Sequence, residues 1–114
     1  MKIFKYPIVT SDHQVIPMPQ RAKILCVQMQ YVGSDVSLPH IWALVDERMP
    51  PTVRKFRVVG TGHDADSLCD IEASGPQVNF GFNSIQLKPH VAYVGTFQMS
   101  GGAIVWHVFD LGEA

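Results

Sequence analysis

Polar and apolar side chains alternate along most of the chain, and the alternation has a period of two residues. Lys55 and Arg57, for example, alternate with Phe56 and Val58, so this segment presents one basic face and one apolar face. No window of about twelve residues keeps an apolar stripe at helical spacing. The pattern therefore predicts strands as the main element and an all-β fold.

Turn residues divide these segments. Pro17 and Pro19 restrict the second segment to a sheet edge or a bulge, because proline donates no hydrogen bond to a neighbouring strand. Pro50 and Pro51 mark a loop, so the segments on either side are a hairpin candidate. The segments with strand patterning are Lys2–Val9, Gln14–Met18, Ala22–Gln30, Ile41–Asp46, Val53–Val59, Val78–Phe82, Tyr93–Met99 and Ala103–Leu111, with a strand or turn at Ile85–Leu87.

The last two of these segments flank Ser100-Gly101-Gly102 and form the clearest predicted hairpin. They lie in a run of 21 residues, Pro89–Phe109, that contains no Asp, Glu, Lys or Arg. The run is long enough for a membrane-spanning helix, but its glycines, polar residues and β-branched residues favour strands. We therefore predict no membrane span.

With 114 residues, the chain is long enough for one domain. We predict a single-domain antiparallel β-sandwich or partly closed barrel of about six to eight strands over residues 1–114, with an irregular segment at about 64–89. The pattern of a secretory signal is absent, so we expect a cytoplasmic protein. The net charge of −1 argues against nucleic-acid binding, because a phosphate-binding surface needs an excess of basic residues.

A glycine-rich turn follows the predicted strand at 53–59. In Gly60-Thr61-Gly62-His63, backbone N–H groups could receive an anion, and Arg57 precedes them in the strand. We interpret Arg57 and Gly60–His63 as a candidate site for a phosphate-containing ligand. The spacing matches neither a dinucleotide fingerprint nor a P-loop, and the alternative is a strand-ending turn with a solvated histidine.

Histidine and acidic residues offer a second candidate chemistry. His63 or His107 could serve as the general base of a hydrolase, with Asp64 or Asp66 as a partner or metal ligand. A metal site would need a further ligand such as His90 or His107, and the sequence does not show that these residues meet. We therefore assign no metal, cofactor or catalytic residue, and we interpret His107 as a hydrogen-bonded core histidine.

Six blocks of sequence, taken in order, resemble a family of small uncharacterised proteins encoded in bacteriophage and prophage genomes. The blocks are MKIFKYP at 1–7, RAKILCVQMQ at 21–30, IWALVD at 41–46, FRVVGTGH at 56–63, YVGTFQ at 93–98 and GGAIVWHVF at 101–109. The segment between His63 and Tyr93 is longer here than in the family pattern.

The resemblance implies an accessory phage product in the bacterial cytoplasm that binds a host or phage component. Our leading hypothesis is a non-enzymatic binding protein whose edge strands and segment 64–89 form the surface for a protein partner or for self-association. The ligand would be a host protein, for example a defence protein, or a small nucleotide. The alternatives are the hydrolase and a virion or assembly component.

Overall fold

A computed structural model describes residues 1–31, 37–71 and 85–114. The predicted strand at Val78–Phe82 lies outside these residues. The strands of the described residues are β1 (Lys2–Pro7), β2 (His13–Pro19), β3 (Lys23–Tyr31), β4 (Ser37–Val45), β5 (Pro51–Gly60), β6 (Cys69–Ile71), β7 (Ile85–Leu87), β8 (Ala92–Met99) and β9 (Ile104–Glu113), and short 3₁₀ turns cover Asp66–Leu68 and Ser100–Gly102.

The strands form two main antiparallel sheets and one small ribbon. One sheet has the order β1-β4-β3, the other has the order β2-β5-β9-β8, and β6 pairs with β7. The all-β sandwich prediction is confirmed, and the two main sheets supply seven strands, within the expected range. No helix in the described ranges is long and apolar enough to cross a membrane.

The core lies between the two main sheets because alternate residues of each strand point inward. Ile41 and Val45 of β4 are completely buried, and they share one apolar cluster with Phe56 of β5 and Val108 of β9. A smaller cluster on the outer side of the four-stranded sheet packs Leu68 against Val59 and Val91. The chain after β5 therefore covers part of that outer face.

The predicted hairpin between the segments 41–46 and 53–59 is wrong. β4 pairs with β1 and β3, whereas β5 pairs with β2 and β9 in the other sheet. Each of the two strands has an apolar face, and the turn closed by Met49 N–H on Asp46 O leads the chain from one sheet to the other. Both faces are buried in this way because they lie across the core from each other.

The predicted final hairpin is confirmed. β8 pairs with β9 from Ala92↔Asp110 to Met99↔Ile104. Gly101 and Gly102 in the connection have φ angles of 66° and 95°, which glycine adopts without steric cost. The 21-residue run without charged side chains therefore supplies all of β8 and the first six residues of β9.

A buried ion pair joins β5 to β9 within the four-stranded sheet. Arg54 donates from Nε to Asp110 Oδ1 at 2.9 Å and from Nη2 to Asp110 Oδ2 at 2.7 Å. Arg54 Nη1 also donates to the Ala22 carbonyl at 2.8 Å, and Asp110 Oδ1 accepts the Gly112 N–H at 2.9 Å. The pair thus holds the turn between β2 and β3 against the end of β9.

Candidate functional site

Arg57, the charged residue of the predicted phosphate site, is engaged by three protein groups. Its Nε donates to Asp12 Oδ1 at 3.1 Å, its Nη2 donates to the Asp64 carbonyl at 3.0 Å, and its Nη1 donates to Ser67 Oγ. The side chain is only 11% exposed. Arg57 therefore fastens the loop between β1 and β2 to the segment that follows β5.

The Gly60–His63 turn is closed by its own hydrogen bonds. His63 N–H donates to the Gly60 carbonyl and Thr61 N–H donates to the Val105 carbonyl, both at 3.0 Å. Gly62 has a φ angle of 88°. Two of the backbone N–H groups expected to receive an anion thus already have carbonyl partners.

The ring of His63 folds back over Gly60. A Cβ atom at Gly60 would lie 2.9 Å from His63 Cε1 and 3.3 Å from Trp106 Cζ3, so glycine is needed for this close approach. The ring centroids of His63 and Trp106 are 6.3 Å apart with an edge-to-face geometry. The first glycine of the motif is therefore explained by packing.

A cleft of about 370 Å³ lies beside this turn. Its charged lining consists of Arg57 and the carboxylates of Asp12 and Asp64. Because the guanidinium is already paired and the two carboxylates repel anions, this lining does not favour phosphate. The phosphate-ligand hypothesis stays a prediction. The residues that line the cleft are Thr10, Asp12, Arg57, Val58, Val59, His63, Asp64 and Trp106.

His107 lies on the outer face of β9 at the centre of a row of hydroxyl groups. Its Nε2 is 2.7 Å from Thr61 Oγ1 and its Nδ1 is 3.0 Å from Thr96 Oγ1. Thr96 Oγ1 is in turn hydrogen-bonded to the Tyr93 hydroxyl. His107 is hydrogen-bonded, as expected, but it is half-buried on the outer face of the sheet rather than in the core.

Asp64, one of the two acidic partners proposed for a catalytic histidine, accepts a hydrogen bond within its own loop. Asp64 Oδ1 accepts the Asp66 N–H at 2.8 Å, and the hydrogen-bond partners of the His107 ring are threonine hydroxyls. Within residues 1–31, 37–71 and 85–114, no group of three His, Cys, Asp or Glu side chains is placed to hold a metal ion.

The register of β2 explains its two prolines. Val58 N–H donates to the Asp12 carbonyl and Gln20 N–H donates to the Pro50 carbonyl. Along an antiparallel edge strand, the backbone N–H and C=O groups of successive residues point alternately toward the neighbouring strand and away from the sheet. The even-numbered residues of β2 therefore bond to β5. Pro17 and Pro19 thus occupy outward positions, where they remove the donors that an added strand would use. The prediction of an edge strand here is confirmed.

The same alternation leaves the edge of β1 open. Ile8 N–H donates to the Pro39 carbonyl at 3.1 Å, so the even-numbered residues of β1 bond to β4. Ile3 and Lys5 therefore direct their N–H and C=O groups outward, and in the part of the chain that the structure describes no backbone group pairs with them. The proline of this strand, Pro7, is its last residue.

The two remaining edges, those of β3 and β8, meet at Val27 and Gly95. A Cβ atom at Gly95 of β8 would lie 2.9 Å from Val27 Cγ1 and 3.9 Å from the Val27 backbone N and O. Only glycine allows β8 to approach β3 this closely. Among the main-sheet edges that the structure describes, β2 has two prolines at outward positions and outward N–H groups only at His13 and Val15, whereas β1 has a proline only at its last residue.

The sequence did not identify this edge in advance. Its signal is the contrast between β2, with prolines two residues apart on one edge, and β1, in which five residues precede the proline. The positions of the prolines indicate which edge is open only when the register of the strands shows which N–H groups point outward.

A family model described as a domain of unknown function, DUF7352, matches residues 1–114. The chain belongs to the DUF7352 family. No curated protein and no solved structure matches the chain. The DUF7352 description assigns no activity.

Proposed function

We propose that this DUF7352 protein is a non-enzymatic binding protein that adds an extended segment of another protein to the edge of β1. The observation that carries the proposal is that Ile3 and Lys5 direct backbone donors and acceptors outward on an unblocked edge. Main-chain hydrogen bonds at such an edge provide affinity, and alternate side chains provide specificity.

The side chains beside this edge suit an alternating partner segment. Phe4 and Tyr6 pack against the core on one side of β1. Ile3, on the other side, is 59% exposed and lies next to Leu44 of β4. A segment with apolar residues at alternate positions would extend the apolar surface of Phe4 and Tyr6 and would place its other residues beside Ile3 and Lys5.

Charge favours a different protein over a second copy as the partner. β1 carries Lys2 and Lys5 and no carboxylate, so pairing two copies would place like charges across the new interface. Lys2 lies 3.0 Å from Glu47, whereas Lys5 has only the neutral Gln30 side chain as a hydrogen-bond partner among the described residues. The partner segment is therefore expected to be acidic.

The resemblance to bacteriophage and prophage proteins supports an accessory role in the bacterial cytoplasm, with a host or phage protein as the partner. An open strand edge is compatible with a role in virion assembly too, and copurification with phage particles would separate the two. A nucleotide ligand is less well supported, since Arg57 is already engaged by Asp12, Asp64 and Ser67.

A capped peptide of alternating valine and glutamate tests the proposal, with the same peptide N-methylated at alternate residues as a non-pairing control. We expect the first peptide to shift the amide NMR signals of Ile3 and Lys5, and the second to leave them unchanged. Ile3→Pro should abolish binding without loss of an internal hydrogen bond, because the Ile3 N–H points outward.

Val15→Pro is the matched control, because it places proline at an outward position of β2. Binding that survives Ile3→Pro, or that is lost only in Val15→Pro, would overturn the proposal. Sedimentation should show a monomer, and a dimer that Ile3→Pro dissociates would replace the acidic partner with a second copy.

A further inference from the structure

The hydroxyl row around His107 has the arrangement of an activated nucleophile. Thr61 is exposed and lies between two glycines, and nothing lies within 4 Å of the position that a Gly62 Cβ would occupy. A reagent can therefore approach the Thr61 hydroxyl from solvent. This feature is independent of the β1 edge.

We propose that Thr61 is a nucleophile that accepts an acyl group from an activated ester, with His107 as its general base. The 2.7 Å separation between Thr61 Oγ1 and His107 Nε2 is a hydrogen-bond distance. The competing acceptor for the Thr61 hydroxyl is the Val105 carbonyl, which is 3.4 Å away. The shorter contact favours the histidine.

Thr96 and Tyr93 act as positioning residues. If the Nδ1–H of His107 donates to Thr96 Oγ1, which is 3.0 Å away, Nε2 is left with a lone pair that faces Thr61. The Tyr93 hydroxyl holds Thr96 Oγ1 from the other side. This row supplies the third group that orients the base in a nucleophile–base pair.

The reaction balances without a cofactor. Thr61 Oγ1 attacks the ester carbonyl carbon while its proton passes to His107 Nε2. The carbon–oxygen bond to the leaving group then breaks, and His107 returns the proton to the departing oxygen. The products are an acylated Thr61 and the free alcohol or phenol, so one acyl group is transferred per protein molecule.

Acetylation by p-nitrophenyl acetate, located by peptide mass spectrometry, tests this assignment. We expect acetyl occupancy of Thr61 to exceed that of the exposed Thr10 by about tenfold or more, and to fall by a similar factor in His107→Gln. Thr61→Ser should keep the labelling and Thr61→Val should lose it. Added imidazole should restore labelling in His107→Ala.

Nitrogen NMR of the His107 ring gives a readout that does not depend on reactivity. In the wild type we expect the proton of the neutral ring to lie on Nδ1. In Thr96→Val we expect it to be distributed between Nδ1 and Nε2. A proton on Nε2 in the neutral ring would overturn the assignment, as would equal acetylation of Thr61 and Thr10. Labelling unchanged in a folded His107→Gln variant would also overturn it.

Discussion

Removing the Asp110 carboxylate should destabilise the fold strongly. The side chains of Arg54 and Asp110 are 15% and 8% exposed, so Asp110→Ala would remove the two-bond partner of a largely buried guanidinium and leave only Glu113 Oε2, 3.8 Å from Nη1, as a counter-charge. The Gly112 N–H would also lose its acceptor. Breaking such a buried pair from one side costs about 3–5 kcal/mol. For a domain of this size, that corresponds to a fall in melting temperature of about 12–20 °C.

The pair of Asp46 and Arg48 serves as a control in which the carboxylate is partly exposed, at 24%, and the guanidinium is exposed. Arg48 donates from Nε and Nη2 to the two carboxylate oxygens at 3.0 Å each, so it copies the two-bond geometry of the buried pair. The Arg48 side chain is 88% exposed, and water replaces its bonds when the partner is removed. Asp46→Ala should therefore lower the urea midpoint far less than Asp110→Ala.

A double variant separates the cost of an unpaired charge from the value of the pair. Arg54→Met combined with Asp110→Leu replaces both charges by apolar groups, and such replacements are often neutral. We expect the double variant to be more stable than Asp110→Ala in urea denaturation. Equal losses for Asp110→Ala and Asp46→Ala, or a double variant no better than the single one, would refute the reasoning.

Three further predictions follow from local geometry. Side-chain and backbone hydrogen bonds from Arg48 lower the pKa of Asp46 from 3.8 to about 2, so the stabilisation by the ionised carboxylate is complete above about pH 4 and is lost as the pH falls towards 2. NMR titration checks this, and a midpoint near 3.8 would contradict it. Gly95→Ala should cost about 1–3 kcal/mol in urea denaturation through a clash with Val27, and Val27→Ala should relieve part of the loss. Millimolar phosphate should leave the melting temperature unchanged because Arg57 is already engaged, and a rise of several degrees would support the phosphate ligand instead.

The parts of the fold that depend on local pattern could be predicted. Period-two alternation and the glycines at 101 and 102 gave the final hairpin, and Pro17 and Pro19 gave the edge position of β2. The partners β1, β2 and β9 of strands β4 and β5 could not be predicted, since they are distant from these two strands in the sequence. An apolar face indicates that a strand is buried but does not say against which sheet.

In the candidate site, too, the features set by local sequence could be predicted and the contacts between distant residues could not. The Gly60–His63 turn could be located from its glycines, but the engagement of Arg57 could not, because Asp12 is 45 residues away in the chain. The hydrogen bond between His107 and Thr61 joins residues 46 positions apart, so the local sequence does not predict it either. Residue types identify which groups could react, and only the register of the strands decides which of them meet.

The backbone groups and the charge of the β1 edge are compatible with a strand that is exposed to water in the free protein and pairs with another strand on binding. Outward N–H and C=O groups at Ile3 and Lys5 are hydrated in the free protein, so exposing them costs little until another strand competes for them. The positive charge of Lys5 opposes pairing with a second β1, and the same charge attracts an acidic segment. Under the proposed function, one lysine would both limit self-association and favour an acidic partner, and this is why the binding test pairs a glutamate-containing peptide with a measurement of oligomeric state.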